Sequence, residues 1–301
     1  MNATISAFEL QQLIISGSVS LIDVLMPEDF ACRRIAGAGN ACVYEMVFLE
    51  RIAECVPDQE RVVVVYDNSG STQTARSAKE KLERAGYRNV AILEGGLQGW
   101  LAAGFAVEQV TPVPPPVVMD GVYPLDTEKS IVEWTGRNIN NRHYGRIAIS
   151  GGEVVLINGL PVSGRFVLDM DSMANLDLQD EGWRGMLHRH LKSEDFFDVE
   201  RYPTALFELS GTAAVAGATP GTPNVEISGK LTVKGTTLPL CFSAMVAAQE
   251  DGTLKAQAAI DIDRTLWEVC YGSGRMYERL GMHLVNDLIS IELFIVTQQS
   301  A

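Results

Sequence analysis

The segment with the clearest potential for chemistry is VVVVYDNSGSTQTARSA, which runs from Val62 to Ala78. It predicts a buried strand, a loop rich in glycine, serine and threonine, and then a helix. Such a loop places the residue after the strand against backbone N–H groups and a helix N-terminus, which together stabilise negative charge. That residue is Asp67, either an oxygen nucleophile or an acceptor for the N–H groups of its own loop. The other candidate residues of this loop are Asn68, Ser69, Gly70, Ser71, Thr72 and Arg76.

Three histidines in the second half of the chain raise the question of a metal site. They are His143, His188 and His190, and imidazole is a common metal ligand. The His-x-His pair lies on a segment predicted to be irregular, and a site would need a further donor, such as Asp195. We therefore predict no metal and no other cofactor. The acidic segment Asp169–Trp183 lacks the spacing of a calcium loop and is predicted to be a strand with a solvated outer face.

The overall composition limits the partners of this protein. The chain has 301 residues and a formal net charge of −14, which disfavours nucleic acid and anionic membranes because like charges repel. Its five cysteines are odd in number and lack CxxC spacing, which favours a reducing compartment over a disulfide framework. The N-terminal segment has no basic region followed by an apolar stretch, and no later segment has the length of a membrane span. These features predict a soluble, cytoplasmic protein.

A proline-rich segment divides the chain into two regions. Residues 109–121, QVTPVPPPVVMDG, contain four prolines and are predicted to be an extended linker. Before it, a capping box at Ser6–Glu9 opens a helix, and apolar strands such as VVVVY alternate with helices. A strand that is apolar throughout is typical of a parallel sheet with helices on both faces. Residues 1–108 are therefore predicted to form an α/β domain.

The second region, residues 122–301, has the period of β-strands. In VEISGKLTV, the apolar residues Val225, Ile227, Leu231 and Val233 share one face, and polar residues occupy the other. Similar segments, separated by turns such as GATPGTPN and EDGT, recur through the region. Many short antiparallel strands with one apolar face predict an all-β barrel or sandwich.

Three segments of the first region carry a family resemblance: LIDVLMPEDFACRRIAGAGN, the VVVVY strand with its loop, and AGYRNVAILEGGLQGWLAAGFAV. Together they resemble a single rhodanese domain. The resemblance implies that active members have a cysteine after this strand, whose persulfide carries sulfane sulfur. Asp67 stands at that position, and a carboxylate cannot carry sulfane sulfur. Arg76 and Ser77 also lie later than the arginine-serine pair of the compact active loop. We therefore predict an inactive sulfurtransferase fold in which Asp67 caps its own loop.

Two alternatives remain for this rhodanese-like module. One is that its loop binds a ligand or a protein partner, which gives the module a role in regulation or interaction. The other is that Cys32, next to Arg33 and Arg34, supplies a displaced thiolate for sulfur chemistry. The ordinary interpretation of Cys32 is a small core residue.

The second region carries a second resemblance, in the segments HLKSEDFFDVERYPTALFEL, VEISGKLTVKGTTLPLCF and AAIDIDRTLWEVCYGSGRMYERLG. These resemble the YceI-like family, over residues 122–296. The resemblance implies a lipocalin-like antiparallel β-barrel whose apolar interior binds isoprenoid or other amphiphilic molecules. The predicted ligand-binding residues are Phe166, Leu168, His190, Phe196, Phe197, Phe207, Ile227, Leu231, Phe242 and Ile260.

The sequence leaves the interior of the barrel open between two interpretations. Eight strands close into a barrel just wide enough to be filled by side chains or to hold one ligand. In the same way, Phe196 and Phe197 form either a lid or a packed plug, and His190 is a candidate to hydrogen-bond the polar head group of a ligand. We predict a binding protein for an isoprenoid, lipid or other amphiphile. The alternative is an enzyme, or a sulfur-handling protein, that acts on a barrel-bound molecule.

Overall fold

The computed structural model of the chain describes residues 3–109 and 120–299, which form two compact units, one before and one after residues 110–119. The predicted linker at residues 109–121 lies almost entirely outside the described residues. Within the described ranges, no helix is long and apolar enough to cross a membrane.

The first unit contains a five-stranded parallel sheet covered by helices. The sheet has the strand order β1-β6-β5-β2-β4, and a short antiparallel ribbon pairs β3 with β7. The α/β architecture predicted for this region is confirmed. Its strands are β1 (Thr4–Ile5), β2 (Val19–Asp23), β3 (Arg33–Arg34), β4 (Gly39–Asn40), β5 (Val62–Tyr66), β6 (Asn89–Leu93) and β7 (Glu108–Gln109). Its helices are α1 (Ala7–Ile15), α2 (Pro27–Cys32), α3 (Phe48–Cys55), α4 (Thr74–Arg84) and α5 (Gly96–Ala102).

Strand β5 shows why this region adopts a parallel sheet. Val63 and Val65 pack into one apolar cluster with α3 and α4, whereas Val64 and Tyr66 pack into a second cluster with α1 and α5. Both faces of the strand are buried, so an uninterrupted apolar run is the pattern that this position requires. The predicted capping box is also present, because the Ser6 side chain accepts from the Glu9 N–H and the Glu9 carboxylate accepts from the Ser6 N–H.

The second unit is a closed antiparallel β-barrel. Strands β9 to β16 pair in sequence from β11 to β16, then β16 with β9, β9 with β10, and β10 with β11, which closes the ring. The additional strand β8 pairs with the second half of β10. The strands are β8 (Gly121–Pro124), β9 (Ile131–Arg137), β10 (Arg142–Ile157), β11 (Leu160–Asn175), β12 (Thr204–Ala214), β13 (Val225–Val233), β14 (Thr236–Ala248), β15 (Leu254–Asp263) and β16 (Leu288–Val296).

One end of the barrel carries long connections. Helix α6 (Glu181–Lys192) follows β11, and two short 3-10 helices, Arg264–Trp267 and Gly281–His283, lie between β15 and β16. Leu187 and Leu191 of α6 pack into the apolar cluster at this end. We call it the helix end of the barrel.

Helix α6 corrects the prediction for this stretch. The sequence predicted one acidic strand over Asp169–Trp183 and an irregular segment at His188 and His190. Instead, β11 ends at Asn175 and the helix begins after Asp180. The Asp180 side chain accepts the Trp183 N–H at 2.9 Å, which makes it an N-cap that starts a new helix.

Candidate functional site

The interior of the barrel contains an apolar cavity of about 250 Å³. Inward-facing side chains of all eight strands line it, because alternate residues of each strand point to the same face. They include Val132, Ile147, Phe166, Leu168, Phe207, Ile227, Leu231, Phe242, Ala258, Ile260, Ile291 and Leu293. The barrel is therefore hollow rather than filled.

Nine of the ten predicted ligand-binding residues lie on the wall of this cavity, and His190 is the exception. An aromatic row crosses three strands, with ring centroids 6.0 Å apart for Phe166 and Phe207 and 5.6 Å apart for Phe207 and Phe242. Apolar and aromatic walls of this kind are typical of sites for apolar small molecules.

Aromatic rings gather at the helix end of the cavity. Phe196 and Phe197 line it, and their ring centroids are 5.1 Å apart. His190 packs behind them, with its ring 5.7 Å from Phe196 and 4.3 Å from Tyr271. The His190 Nε2 is buried and has no hydrogen-bond partner among the described residues. The two phenylalanines thus close one end of the cavity.

Arg264 is a buried cation at the same end, and the sequence did not mark it as a site residue. It is 2 % exposed and donates to the carbonyl oxygens of Val269, Val285 and Asn286. Its guanidinium lies 3.9 Å from the Asp287 carboxylate and 5.4 Å from the centre of the Phe196 ring. These contacts tie the connection between β15 and β16 to the aromatic end of the cavity.

Two tryptophans also line the cavity, and the sequence analysis did not single them out. Trp267 donates its indole N–H to the Leu231 carbonyl at 2.9 Å. Trp134 lies on β9 two residues after Val132, on the inward phase of the strand. Its ring packs over Gly145 so closely that a Cβ at that glycine would be 2.8 Å from the ring. The alternation of inward-facing and outward-facing residues in β9 was the sequence signal that pointed to Trp134 as an inward-facing residue.

The loop after β5 in the first unit is organised around the carboxylate of Asp67. This residue is 2 % exposed. Its Oδ1 accepts the Gly70 N–H at 2.5 Å, and its Oδ2 accepts the Thr72 hydroxyl at 2.9 Å and the Ala75 N–H at 3.4 Å. Asp67 therefore caps its own loop, as predicted, and both of its oxygens are engaged.

The start of α5 holds the other side of this loop. The N–H groups of Leu97 and Gln98 donate to the carbonyl oxygens of Asp67 and Asn68, at 2.8 and 2.9 Å. Gly96 has a φ of +56°, and a Cβ there would lie 2.4 Å from the Asp67 carbonyl oxygen. Only glycine permits this close approach. The loop is thus held from within by the Asp67 carboxylate and from outside by the start of α5.

Comparison with known families identifies both units. A model of the YceI-like domain matches residues 123–297, more than half of the chain. The chain belongs to the YceI-like family. A model of the rhodanese-like domain matches residues 6–103, so the first unit is a rhodanese-like domain. Both family predictions are confirmed.

Individual relatives resemble one domain or the other. The Escherichia coli (strain K12) protein named Thiosulfate sulfurtransferase PspE is 41% identical over 69 residues, which are 23% of this chain and 62% of that protein. The chain thus spans less than two thirds of this relative. BcnA of Burkholderia cenocepacia, known from a crystal structure, is 24% identical to this chain, with a TM-score of 0.46. The match covers 58% of this chain and 99% of BcnA. A polyisoprenoid binding domain from Saccharophagus degradans is 13% identical, with a TM-score of 0.43, over 60% and 99% of the two chains.

Two of the three histidines considered as metal ligands, His143 and His188, are held by ordinary structural contacts. His143 Nδ1 lies 2.9 Å from an Asp177 carboxylate oxygen, and His188 Nε2 accepts the Asn175 N–H at 2.8 Å. Burial lowers the pKa of His188, and the charges of Lys192 and Arg184 lower it further. Within residues 3–109 and 120–299, no three histidine, cysteine, aspartate or glutamate side chains form a group that could hold a metal ion.

Asp23, at the end of β2 in the rhodanese-like domain, gives this domain a specific pH dependence. It is 1 % exposed, and burial raises its pKa from 3.8 to about 6. Between about pH 4 and pH 6, the Asp23 carboxyl is therefore protonated in the folded protein and ionised in the unfolded chain. Stability contributed by this group is present below that window and is lost as the pH rises through it.

We expect Asp23→Asn to remove this dependence. The asparagine Oδ1 can still accept the Leu25 N–H, a contact of 2.9 Å in the native chain. Between pH 4 and pH 7, the free energy of unfolding of this domain should fall by about 2–3 kcal/mol more in the native chain than in the variant. Urea unfolding at a series of pH values measures this difference. The exposed Glu54→Gln serves as control and should follow the native chain, whereas identical pH profiles for native and Asp23→Asn would contradict the assignment.

Proposed function

We propose that this protein binds an isoprenoid, a lipid or another amphiphilic small molecule in its YceI-like barrel. The observation that carries the proposal is the apolar cavity of about 250 Å³ inside the closed barrel. An apolar cavity of about 150 Å³ already binds benzene in another protein, so this one accommodates a larger apolar group. The isoprenoid class comes from the family resemblance, and the predicted cytoplasmic location remains part of the proposal.

The proposed ligand-binding residues act mainly by shape and by exclusion of water. Phe166, Phe207 and Phe242 offer an aromatic wall to an apolar chain, while Phe196 and Phe197 close the helix end. His190 supports Phe196 from behind. Burial of an apolar ligand here contributes roughly 25 cal/mol for each Å² removed from water.

Organic extraction of the purified protein, followed by mass spectrometry, tests this proposal directly. We expect one apolar compound, or a narrow homologous series, in near-stoichiometric amount. The matched control is Ile260→Lys, which places a charge in the cavity and should copurify without the compound. The proposal fails if the native extract contains no such compound and the native protein also fails to bind the apolar dye N-phenyl-1-naphthylamine.

For the rhodanese-like domain, we propose a non-catalytic role in regulation or in interaction with a protein partner. The support is Asp67, which occupies the nucleophile position implied by the rhodanese resemblance. Its carboxylate accepts hydrogen bonds on both oxygens and is 2 % exposed. A carboxylate in this position has no sulfur to transfer.

A thiosulfate and cyanide assay tests the non-catalytic assignment. We expect the native chain to form thiocyanate no faster than a variant in which all five cysteines are serine. Sulfur transfer that depends on a cysteine and disappears in Cys32→Ser would overturn the assignment and support a displaced thiolate at Cys32.

A further inference from the structure

Strands β14 and β15 are neighbours in the barrel, but they pair over only part of their length. The ladder joins Met245–Ala248 to Leu254–Gln257 and stops there. Towards the helix end, within the part of the chain that the structure describes, Thr236–Ala244 pairs only with β13 and Ala258–Asp263 pairs only with β16. Backbone hydrogen bonds therefore do not close the barrel wall along this stretch, which we call the seam.

The sequence of β14 is suited to a strand edge at the seam. Lys234 and Gly235, between β13 and β14, have φ of +49° and +77°, so they form a two-residue type I′ turn. The closing pair of such a turn is hydrogen-bonded, and non-hydrogen-bonded and hydrogen-bonded pairs then alternate along the ladder. Pro239 is three positions beyond the closing residue Thr236, so its nitrogen is directed away from β13 and towards the seam. Because proline has no N–H to donate, it is found at the edges of sheets.

An outer groove of about 870 Å³ lies over the seam. Its lining includes Cys241 and Ser243 of β14 and Asp261 of β15, which are exposed on the outward phase of their strands. Five residues border both this groove and the interior cavity: Phe242, Gln257, Ala258, Ile260 and Leu293. At the seam, side chains rather than paired backbone therefore separate the groove from the cavity.

The cavity and the groove differ in their chemistry. The accessible lining of the cavity is apolar throughout, so it suits the apolar part of an amphiphile and disfavours a polar group. The groove contains polar side chains, and the two seam edges add backbone N–H and C=O groups that the sheet does not use. An amphiphile with its polar end in the groove and its apolar chain in the cavity matches both surroundings.

We propose that the polar head group of the barrel ligand binds in the outer groove, and that its apolar chain passes through the seam into the cavity. This inference rests on the proposed function of the barrel. Continuing the register of the paired stretch places Phe242 opposite Ile260, so the chain passes between these two side chains. Phe196 and Phe197 close the helix end of the cavity, which leaves the seam as the route for the chain.

The head group is uncharged and both donates and accepts hydrogen bonds, as a hydroxyl or an amide does. The free strand edges at the seam offer acceptors and donors for such a group. Glu133, Asp261 and Glu292 also line the groove, and their negative charges repel an anionic head group. Glu133 is paired with Arg146 at 2.8 Å, whereas the other two carboxylates form no ion pair with a described residue. Long-chain and isoprenoid alcohols or amides meet these requirements, and ionised fatty acids do not.

The native cysteines test this placement, because each reports on a different position. Cys241 lines the groove, Cys270 lies in the connection between β15 and β16 at the helix end, and Cys55 is exposed on the rhodanese-like domain. The probe is N-decyl-2-bromoacetamide, whose head group loses bromide as a cysteine thiolate forms the new S–C bond. Bromoacetamide, which has no chain, is the reference. We expect the ratio of Cys241 to Cys55 alkylation, measured by peptide mass spectrometry, to be about tenfold higher for the decyl probe, because binding holds its head group beside Cys241.

A matched control moves the thiol away from the seam. The double substitution Cys241→Ser and Ser210→Cys places it at an exposed position of β12, where the decyl chain should give no preference. In the native protein, decan-1-ol should protect Cys241 from the decyl probe, whereas decanoate should not. Equal protection by decanoate would contradict an uncharged head group.

The remaining outcomes separate this inference from the proposed function. Preferential alkylation of Cys270 would place the head group at the helix end and overturn the inference. Equal ratios for the two probes, in a protein that still binds N-phenyl-1-naphthylamine, would also overturn it and leave the proposed function intact. If the native protein binds neither the dye nor decan-1-ol, the proposed function itself fails.

Discussion

Arg264→Met is expected to destabilise the YceI-like barrel by about 3–5 kcal/mol, since three backbone carbonyl oxygens lose the guanidinium that is their donor, at roughly 1–3 kcal/mol for each that stays buried. The Arg264 side chain is 1 % exposed, and Asp287, 3.9 Å away, is 15 % exposed. The three carbonyl oxygens are those of Val269, Val285 and Asn286. Methionine retains the length of the side chain, so the lost polar contacts dominate over lost packing.

Arg275→Met is the matched control for this substitution. Arg275 forms ion pairs with Asp263 and Asp287, at 2.9 and 3.0 Å, but its side chain is 61 % exposed. Solvent screens such pairs, so we expect a loss of about 1 kcal/mol or less. Urea unfolding of both variants, followed by tryptophan fluorescence, measures the difference. Losses of similar size in the two variants would mean that Arg264 does not organise the helix end.

Ile260→Lys is expected to abolish ligand binding and to destabilise the barrel by several kcal/mol. Ile260 lines the cavity on β15, and the wall that faces it is apolar. The new ammonium group would lose its hydration without gaining a partner, which is costly unless the charge is neutralised. Direct titration with N-phenyl-1-naphthylamine and urea unfolding give the two readouts.

The neighbouring residue provides the control. Ala259 is exposed on the outer face of the same strand, directly opposite Glu292 on β16. Ala259→Lys therefore adds the same charge at a position where it is solvated and faces a carboxylate. We expect dye binding to be unchanged and stability to change by less than about 0.5 kcal/mol. If both lysine variants behave alike, Ile260 and Ala259 do not differ in their surroundings, which would contradict an apolar cavity on the inner side of β15.

The local periodicity of the sequence was sufficient for most of the fold. In β13, the alternation at Val225, Ile227 and Leu231 matches their burial, because side chains in a strand alternate between two faces at every residue. The continuous apolar run of β5 likewise indicated a strand that is buried on both faces. The role of Asp67 was also readable, since a carboxylate next to its own loop reaches neighbouring N–H groups without help from distant residues.

Features that depend on distant residues could not be predicted in this way. Helix α6 was missed because its apolar stripe is short, and its packing against the barrel decides its conformation. Trp134 and Trp267 have the same side chain in the sequence. The Leu231 carbonyl lies 2.9 Å from one indole nitrogen, whereas the other has no such partner among the described residues. Barrel closure brings donors and acceptors from distant segments together, so tertiary structure alone decides which polar groups are paired.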